Sequence, residues 1–208
     1  MTGKQMNLLE AAEKLFAEKG YDGTSVRDIA QEAGVNLAMI SYYFGSKDGL
    51  LRVLFEQRMS NVRLRIEDVA QRKDLTPMQK FEAVVDMYLD RLFSQSRFHK
   101  ILSQETGVLE TSGLRKLILE HKQRNLEVMR SLISQGVRAG EFRKGIDVPM
   151  LMMTLIGTTN HLITSRPYYC ELNGLLGLSD EEIQTQLKKK LSTHLKTLFK
   201  SFLKHEVE

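Results

Sequence analysis

SVRDIAQEAGVNLAMISYYF, residues 25–44, is the stretch whose reading decides the fold. Ser25, with Asp28 three residues later, makes a start of the capping-box kind, a carboxylate standing where Glu or Gln is usual. Val26, Ile29, Ala30 and Ala33 then recur at helical spacing and form one apolar stripe, which leaves Arg27, Asp28, Gln31 and Glu32 on the wet face. Gly34 is the residue best able to take the left-handed conformation that ends a helix, and Ala30, four back, is small enough for a second helix to pack close. Asn36 is placed to cap that second helix, whose Ile40 and Phe44 lie one turn apart and point inward with Val35. Ala38, Met39, Ser41, Tyr42 and Tyr43 are then expected to face outward.

Two short helices joined at a glycine are common in all-α proteins, so spacing alone does not give a function. The composition of the outward face is more informative. Two adjacent tyrosines, a serine and then Gly45-Ser46-Lys47 are poor core material, and they suit a phosphate-rich surface. Tyr hydroxyls, Lys and helix N-terminal amides are typical phosphate contacts, while the first turns of a second motif helix reach base edges in the major groove of duplex DNA.

With GYDGTSVRDIA at 20–30, AGV at 33–35, YYF at 42–44 and GSKDGLL at 45–51, the segment from residue 4 to about 55 resembles the N-terminal domain of the tetracycline-repressor (TetR) family of bacterial one-component regulators. The rest of the chain is similar only in length and helical layout. The resemblance puts Thr24 and Ser25 where the family contacts phosphate at a helix N-terminus, although capping alone accounts for both. It implies phosphate contacts at Tyr43 and Lys47, with Asn36 at the head of the recognition helix. The family usually carries a polar residue at the position of Leu37 and often Thr or Ala at that of Met39. An apolar side chain can touch a thymine methyl but cannot read a purine bidentately. Base reading is therefore expected from Ala38, Met39, Ser41 and Tyr42, and Leu37 either enters the groove or packs inward with Ile40.

Composition agrees with this reading. The chain has 208 residues, a formal net charge of +4 and a pI of about 9.1, mildly basic as a nucleic-acid partner would be. A single cysteine, Cys170, excludes an internal disulfide framework and a cysteine-rich zinc site, and fits a reducing cytoplasm. No apolar run reaches the roughly 18 residues of a membrane span, and no signal-peptide core is visible near the N-terminus. The expectation is a soluble cytoplasmic protein with no membrane partner.

Along the chain, Leu8, Ala11, Ala12, Leu15 and Phe16 predict a first helix over 4–19 that ends at Gly20. Ser46 caps a fourth helix running to about Gln71, with Arg58, Arg63 and Arg65 read as a solvated face. RKDLT, 72–76, breaks the pattern, and Thr76-Pro77 opens a helix over 77–95. A short helix over 98–105, a loop GVLETSG over 107–113 and a long helix over 114–138 follow, then one over 147–165. RPYYCELNGLLGL, 166–178, reads as loop. Ser179 and Glu182 form a capping box for a last helix with Ile183, Leu187, Leu191, Leu195, Leu198 and Phe202 as one stripe. The fold class is all-α: a helix-turn-helix domain over 1–48, then a helical effector-binding and dimerisation domain over 49–208.

The resemblance implies that the last two long helices meet their twins in a four-helix bundle, through Met152, Ile156, Thr159, Ile183, Leu187, Leu191, Leu195, Leu198 and Phe202. A homodimer also has its own logic, because two recognition helices on a twofold axis read a palindromic operator with half-sites about 34 to 36 Å apart or a multiple of that. The family's effector cavity lies between helices five and eight, where Met87, Tyr88, Arg91, His99, Leu102, His121, Asn125, Met129, Met153 and His161 are candidate linings. Each also has a plainer reading as core or surface. Ten methionines would suit a greasy effector, and Arg91, His99 and Arg124 an anionic one. No Glu-x-x-His pair, His-Glu-x-x-His motif or phosphate loop is present, nor an obvious group to lower the pKa of Cys170 beside Tyr168 and Tyr169. No cofactor, metal or catalysis is expected. The expected function is a ligand-responsive repressor released from DNA by an unidentified small molecule. A helical-bundle enzyme or carrier without DNA binding is the alternative, and it leaves Tyr42, Tyr43 and Lys47 without a role.

Overall fold

The structure is a computed structural model that describes residues 1–104 and 113–204, without the side chains of 60–65, 103 and 104. All the regular structure among the described residues is helical: α1 (Gly3–Lys19), α2 (Val26–Glu32), α3 (Ala38–Phe44), α4 (Lys47–Gln71), α5 (Pro77–Ser94), α6 (Ser96–Gln104), α7 (Leu114–Arg138), α8 (Val148–Thr164), α9 (Arg166–Leu172) and α10 (Asp180–Leu203). Most of the loop expected over 107–113 lies outside the described residues. No described helix is long and apolar enough to cross a membrane.

The chain packs into two compact units, one of residues 1–62 and 95–122, the other of 63–94 and 123–208. Packing therefore divides the chain elsewhere than at residue 48. The reason is the size of α2 and α3, seven residues each, which cannot enclose a core with α1 alone. In the first unit Leu50, Leu51, Leu54 and Phe55 of α4 and Phe98 and Ile101 of α6 complete the core begun by Leu8, Leu9, Ala12 and Phe16. Phe55 and Phe98 meet edge to face with centroids 4.9 Å apart.

α1 and α4 of this unit are also joined by charge. The Arg58 guanidinium donates to the Glu13 carboxylate at 2.6 and 2.9 Å, and Glu13 is buried. This corrects the reading of Arg58 as part of a solvated face. A carboxylate placed among apolar side chains needs such a partner, because its desolvation is otherwise uncompensated.

In the second unit α5 packs against α10 and α8. Phe81 meets Phe199 with centroids 5.4 Å apart, Asp86 accepts from the Ser192 hydroxyl at 2.6 Å, and Asp86 and Asp90 pair with Lys196 and Lys188. The α10 stripe departs from expectation in its last third. The buried row is Ile183, Leu187, Leu191, Leu195, Phe199 and Leu203, while Leu198 and Phe202 are exposed. The row keeps a four-residue step because ridges of that spacing are what pack into a neighbouring helix. The expected loop over 166–178 is corrected too, for its first seven residues form α9. Pro167 sits in the first turn, where its missing N–H costs nothing, and Cys170 is buried beneath.

The Arg58–Glu13 tie generates a test. Arg58→Met should strand the buried Glu13 carboxylate and cost about 3 kcal/mol of stability, read by urea denaturation, whereas Arg52→Met in the exposed pair with Glu56 should cost well under about 1 kcal/mol.

Candidate nucleic-acid interface

α2 is built as its residues demand. The Ser25 hydroxyl accepts from the Asp28 amide at 3.1 Å, and Asp28 in turn accepts from the Ser25 amide at 2.9 Å and hydroxyl at 2.6 Å. These bonds from the Ser25 hydroxyl and amide hold the Asp28 carboxyl below the usual carboxylate range. Ile29 and Ala30 are buried and Val26 and Ala33 half-buried. Gly34 takes φ +65°, and the Val35 amide donates back to the Ala30 carbonyl at 3.0 Å, which closes the turn. The Asn36 side chain then accepts from the Ala38 amide at 2.8 Å and starts α3, and Gly45, at φ +76°, ends it.

On α3, Ile40 is buried, and Val35, Met39, Tyr43 and Phe44 are partly buried against the same core. The outward face is therefore Asn36, Leu37, Ala38, Ser41 and Tyr42, all exposed, with Tyr42 at 81% and Leu37 at 40%. Leu37 turns outward, which decides between its two readings. Met39 and Tyr43 are less free than expected: the Tyr43 ring is caught between Tyr42 at 4.9 Å and Phe44 at 6.2 Å.

Two expected phosphate contacts need correction. Thr24 is buried, and its hydroxyl donates inward to the Gly20 carbonyl at 2.8 Å and the Leu15 carbonyl at 3.3 Å, so its side chain fixes the α1–α2 turn. The Lys47 ammonium, expected on phosphate, donates to the Tyr21 and Thr24 carbonyls at 3.0 Å each and lies 4.0 Å from the Tyr21 ring centre. Spacing within a motif could not reveal that grip, since Tyr21 is 26 residues upstream. Ser25 is exposed, but its hydroxyl is engaged in the cap.

The N-terminal motif, residues 8–54, matches the model for bacterial regulatory proteins of the tetR family, and residues 74–164 match that for the tetracyclin repressor-like C-terminal domain. The chain belongs to the TetR family. Its place there makes it a DNA-binding transcriptional regulator, with the α2–α3 motif as the DNA-reading element. Among TetR-family relatives, the fatty acid metabolism regulator protein of Bacillus subtilis is 26% identical over 181 residues, covering 87% of this chain and 92% of its own. The solved structure of that species' FadR in complex with stearoyl-CoA has a TM-score of 0.69 at 25% identity, covering 95% and 98% of the two chains. The ketosteroid regulator KstR2 of Mycobacterium tuberculosis shares the fold, with a TM-score of 0.75 at 20% identity over 99% and 97%.

The residues expected to line an effector cavity are scattered. Met87, Tyr88 and Arg91 on α5 and Asn125 on α7 are half-buried and Met129 is core in the second unit, while His99, Leu102 and His121 are half-buried in the first. Burial pushes the Tyr88 hydroxyl well above the usual tyrosine range and the Arg91 guanidinium down to about 10, with Tyr88 opposing the shift. Met153 and His161 are exposed, a correction to their role as lining, because they lie on the open face of α8. A groove of about 520 Å³ in the second unit, lined by Thr76, Met78, Gln79, Glu82, Gly140, Glu141, Lys200 and Lys204, includes none of the expected residues.

The expected dimer set is also divided. Ile183, Leu187, Leu191, Leu195 and Thr159 are buried within the single chain, Thr159 with its hydroxyl on the Leu155 carbonyl at 2.7 Å, so they are corrected to core. Met152 and Ile156 are half-buried, Leu198 and Phe202 remain exposed, and so are Met150 and Met153 of α8, which lie outside the expected dimer set.

These placements separate reading from folding. Tyr42→Ala should leave the melting temperature unchanged and weaken specific DNA binding about tenfold, or roughly 1.4 kcal/mol, in a fluorescence anisotropy titration. Thr24→Val should do the opposite, lowering stability by about 1 kcal/mol through its lost buried hydrogen bonds, with the salt dependence of DNA binding unaltered.

Proposed function

We propose that the protein is a homodimeric repressor that reads a palindromic operator with the exposed face of α3 and is released by a lipid-derived effector, a long-chain acyl thioester. The observation that carries it is the exposure of Asn36, Leu37, Ala38, Ser41 and Tyr42 on a helix whose opposite side is core. Met39, Tyr43 and Ser25 flank that face. Apart from the Asn36 cap, the face takes no part in the core, and its mix of amide, hydroxyl, phenol and apolar groups matches what base edges and thymine methyls offer. In this reading residues 1–48 read DNA, residues 49–208 bind effector and dimerise, no catalytic step is involved, and the protein works in the cytoplasm.

Two observations support the dimer. α8 leaves Met150 and Met153 61% and 65% exposed, and α10 leaves Leu198 and Phe202 each 41% exposed. Large apolar groups gathered on helices that both pack on α5 suit burial against a second copy. The effector class follows from the relative solved with stearoyl-CoA, which spans nearly the whole chain. Arg91 supplies a half-buried cation that stays charged near neutral pH, since its pKa is about 10. Release then follows from differential affinity: an effector that binds better to the form with misplaced recognition helices weakens DNA binding by that difference and no more.

The test begins with DNA fragments selected by the purified protein from a genomic library. Stearoyl-CoA should release the selected duplex at micromolar concentration, while free coenzyme A at the same concentration should not. Release by neither would remove the acyl thioester. Failure to select any fragment would remove the repressor. For the dimer, Met153→Glu with Phe202→Glu should give a monomer in sedimentation velocity and lose palindrome binding; an intact dimer would place the interface elsewhere.

A further inference from the structure

We propose that Lys47 serves DNA binding as a positioning residue, holding the first turn of α4 on Tyr21 instead of contacting phosphate itself. The inference rests on the DNA-reading role of the α2–α3 motif and concerns how that motif is held.

Tyr21 is gripped at both ends by two consecutive residues of α4. Its backbone carbonyl accepts from the Lys47 ammonium at 3.0 Å, its ring lies 4.0 Å from the same ammonium, and its hydroxyl donates to the Asp48 carboxylate at 2.5 Å. The Thr24 carbonyl accepts from Lys47 as well, at 3.0 Å. Tyr21 is itself buried, with its ring 5.3 Å from that of Phe16 on α1. Burial, followed by the hydrogen bond to Asp48, raises the Tyr21 pKa above the ordinary range, so the hydroxyl keeps its proton and remains a donor.

The geometry determines what the ammonium can do. Lysine has three N–H donors on a flexible stem. Two are directed at carbonyls of the turn joining α1 to α2, and the charge faces an aromatic ring, an attraction of the cation–π kind. One N–H is left over, and a lysine extended away toward phosphate would give up both carbonyls and the ring. Held as it is, Lys47 ties the turn before α2 to the helix after α3. Both ends of the α2–α3 motif are thereby fixed to one point, which sets where the face of Tyr42 and Ser41 lies relative to the N-terminus of α2.

A positioning role and a phosphate contact differ in their salt dependence. Each neutralised phosphate contributes about −0.9 to the slope of log K against log salt. The probe is the duplex selected by the wild-type protein, titrated at four salt concentrations at a temperature where circular dichroism shows every variant folded. Lys47→Met should weaken binding about tenfold with the slope unchanged. Tyr21→Phe, which keeps the ring and its packing and removes only the hydroxyl, should weaken binding several-fold although its buried side chain touches no DNA. The double variant should bind about as weakly as Lys47→Met alone. Loss of about 0.9 from the slope in Lys47→Met would overturn the proposal. So would unchanged affinity in Tyr21→Phe, or effects that simply multiply in the double variant. If Lys47→Met does not fold, Asp48→Asn replaces it, with the same expected drop in affinity and the same constant slope. Loss of stability without loss of affinity in these variants would reduce the grip to a folding device and equally end the proposal. Absence of DNA binding by the wild type would count against the regulator reading instead.

Discussion

A helix of seven residues has no stability of its own, and α2 and α3 are both that short. Everything about the first unit follows from this constraint. Ile29, Ala30 and Ile40 must be held by a core that the motif cannot provide, so α1 lies behind it, and α4 and α6 close the other sides. The stability is supplied entirely from the inner face. Apart from the Asn36 cap, the outer face is left out of the core, which is the condition under which Tyr42 and its neighbours can be chosen for DNA.

The same constraint explains why polar ties appear where they do. Apolar packing resists separation but resists sliding poorly, since it is not directional. Glu13 with Arg58 and Lys47 with the Tyr21 and Thr24 carbonyls add directed contacts between segments distant in sequence, and Thr24 with the Gly20 carbonyl adds one within the α1–α2 turn. Each fixes a register that hydrophobic contact would leave loose. Thr24 and Lys47 belong to motif positions that face DNA in the resembled family, and here their polar atoms are turned to the protein.

What the sequence made legible were features decided locally. The Ser25–Asp28 and Ser179–Glu182 boxes, the left-handed Gly34 and the bounds of α7 depend on residues within a turn of one another, and they are found as read. Ala38, Ser41 and Tyr42 on the face of α3 followed from the same periodicity, whereas Met39 and Tyr43, expected beside them, are drawn partly into the core. What escaped depended on partners far along the chain. Leu198 belongs to the α10 stripe by composition, but moving three residues on from Leu195 turns it about 60° one way, and moving four, to Phe199, about 40° the other. Only the neighbouring α5, with Phe81, decides which of the two is covered. The buried dimer candidates failed for the same reason: an apolar row shows that something covers it, not whether that is the same chain. α9 was hidden because Pro-Tyr-Tyr-Cys has little helical preference, and Cys170 finds its cover only in the folded unit.

The chain passes between its two units inside α4, inside α7 and at the junction of α5 with α6. α4 is held in each unit by a lysine: in the first by Lys47 at its start, in the second by Lys80. The Lys80 ammonium, on a buried side chain of α5, donates to the Ala70 carbonyl in the last turn of α4 at 2.8 Å and to the Gln135 side chain of α7 at 3.3 Å. Two of the three crossing segments thus meet at one buried cation. A cation suits a helix C-terminus, where unpaired carbonyls concentrate negative charge, and a buried ammonium is costly to release from its acceptors. The end of α4 is consequently expected to follow α5 and α7 and not to drift from them. A rearrangement of α5, which carries Tyr88 and Arg91 as well as Lys80, would be felt at the end of α4 through the Lys80 bond to the Ala70 carbonyl.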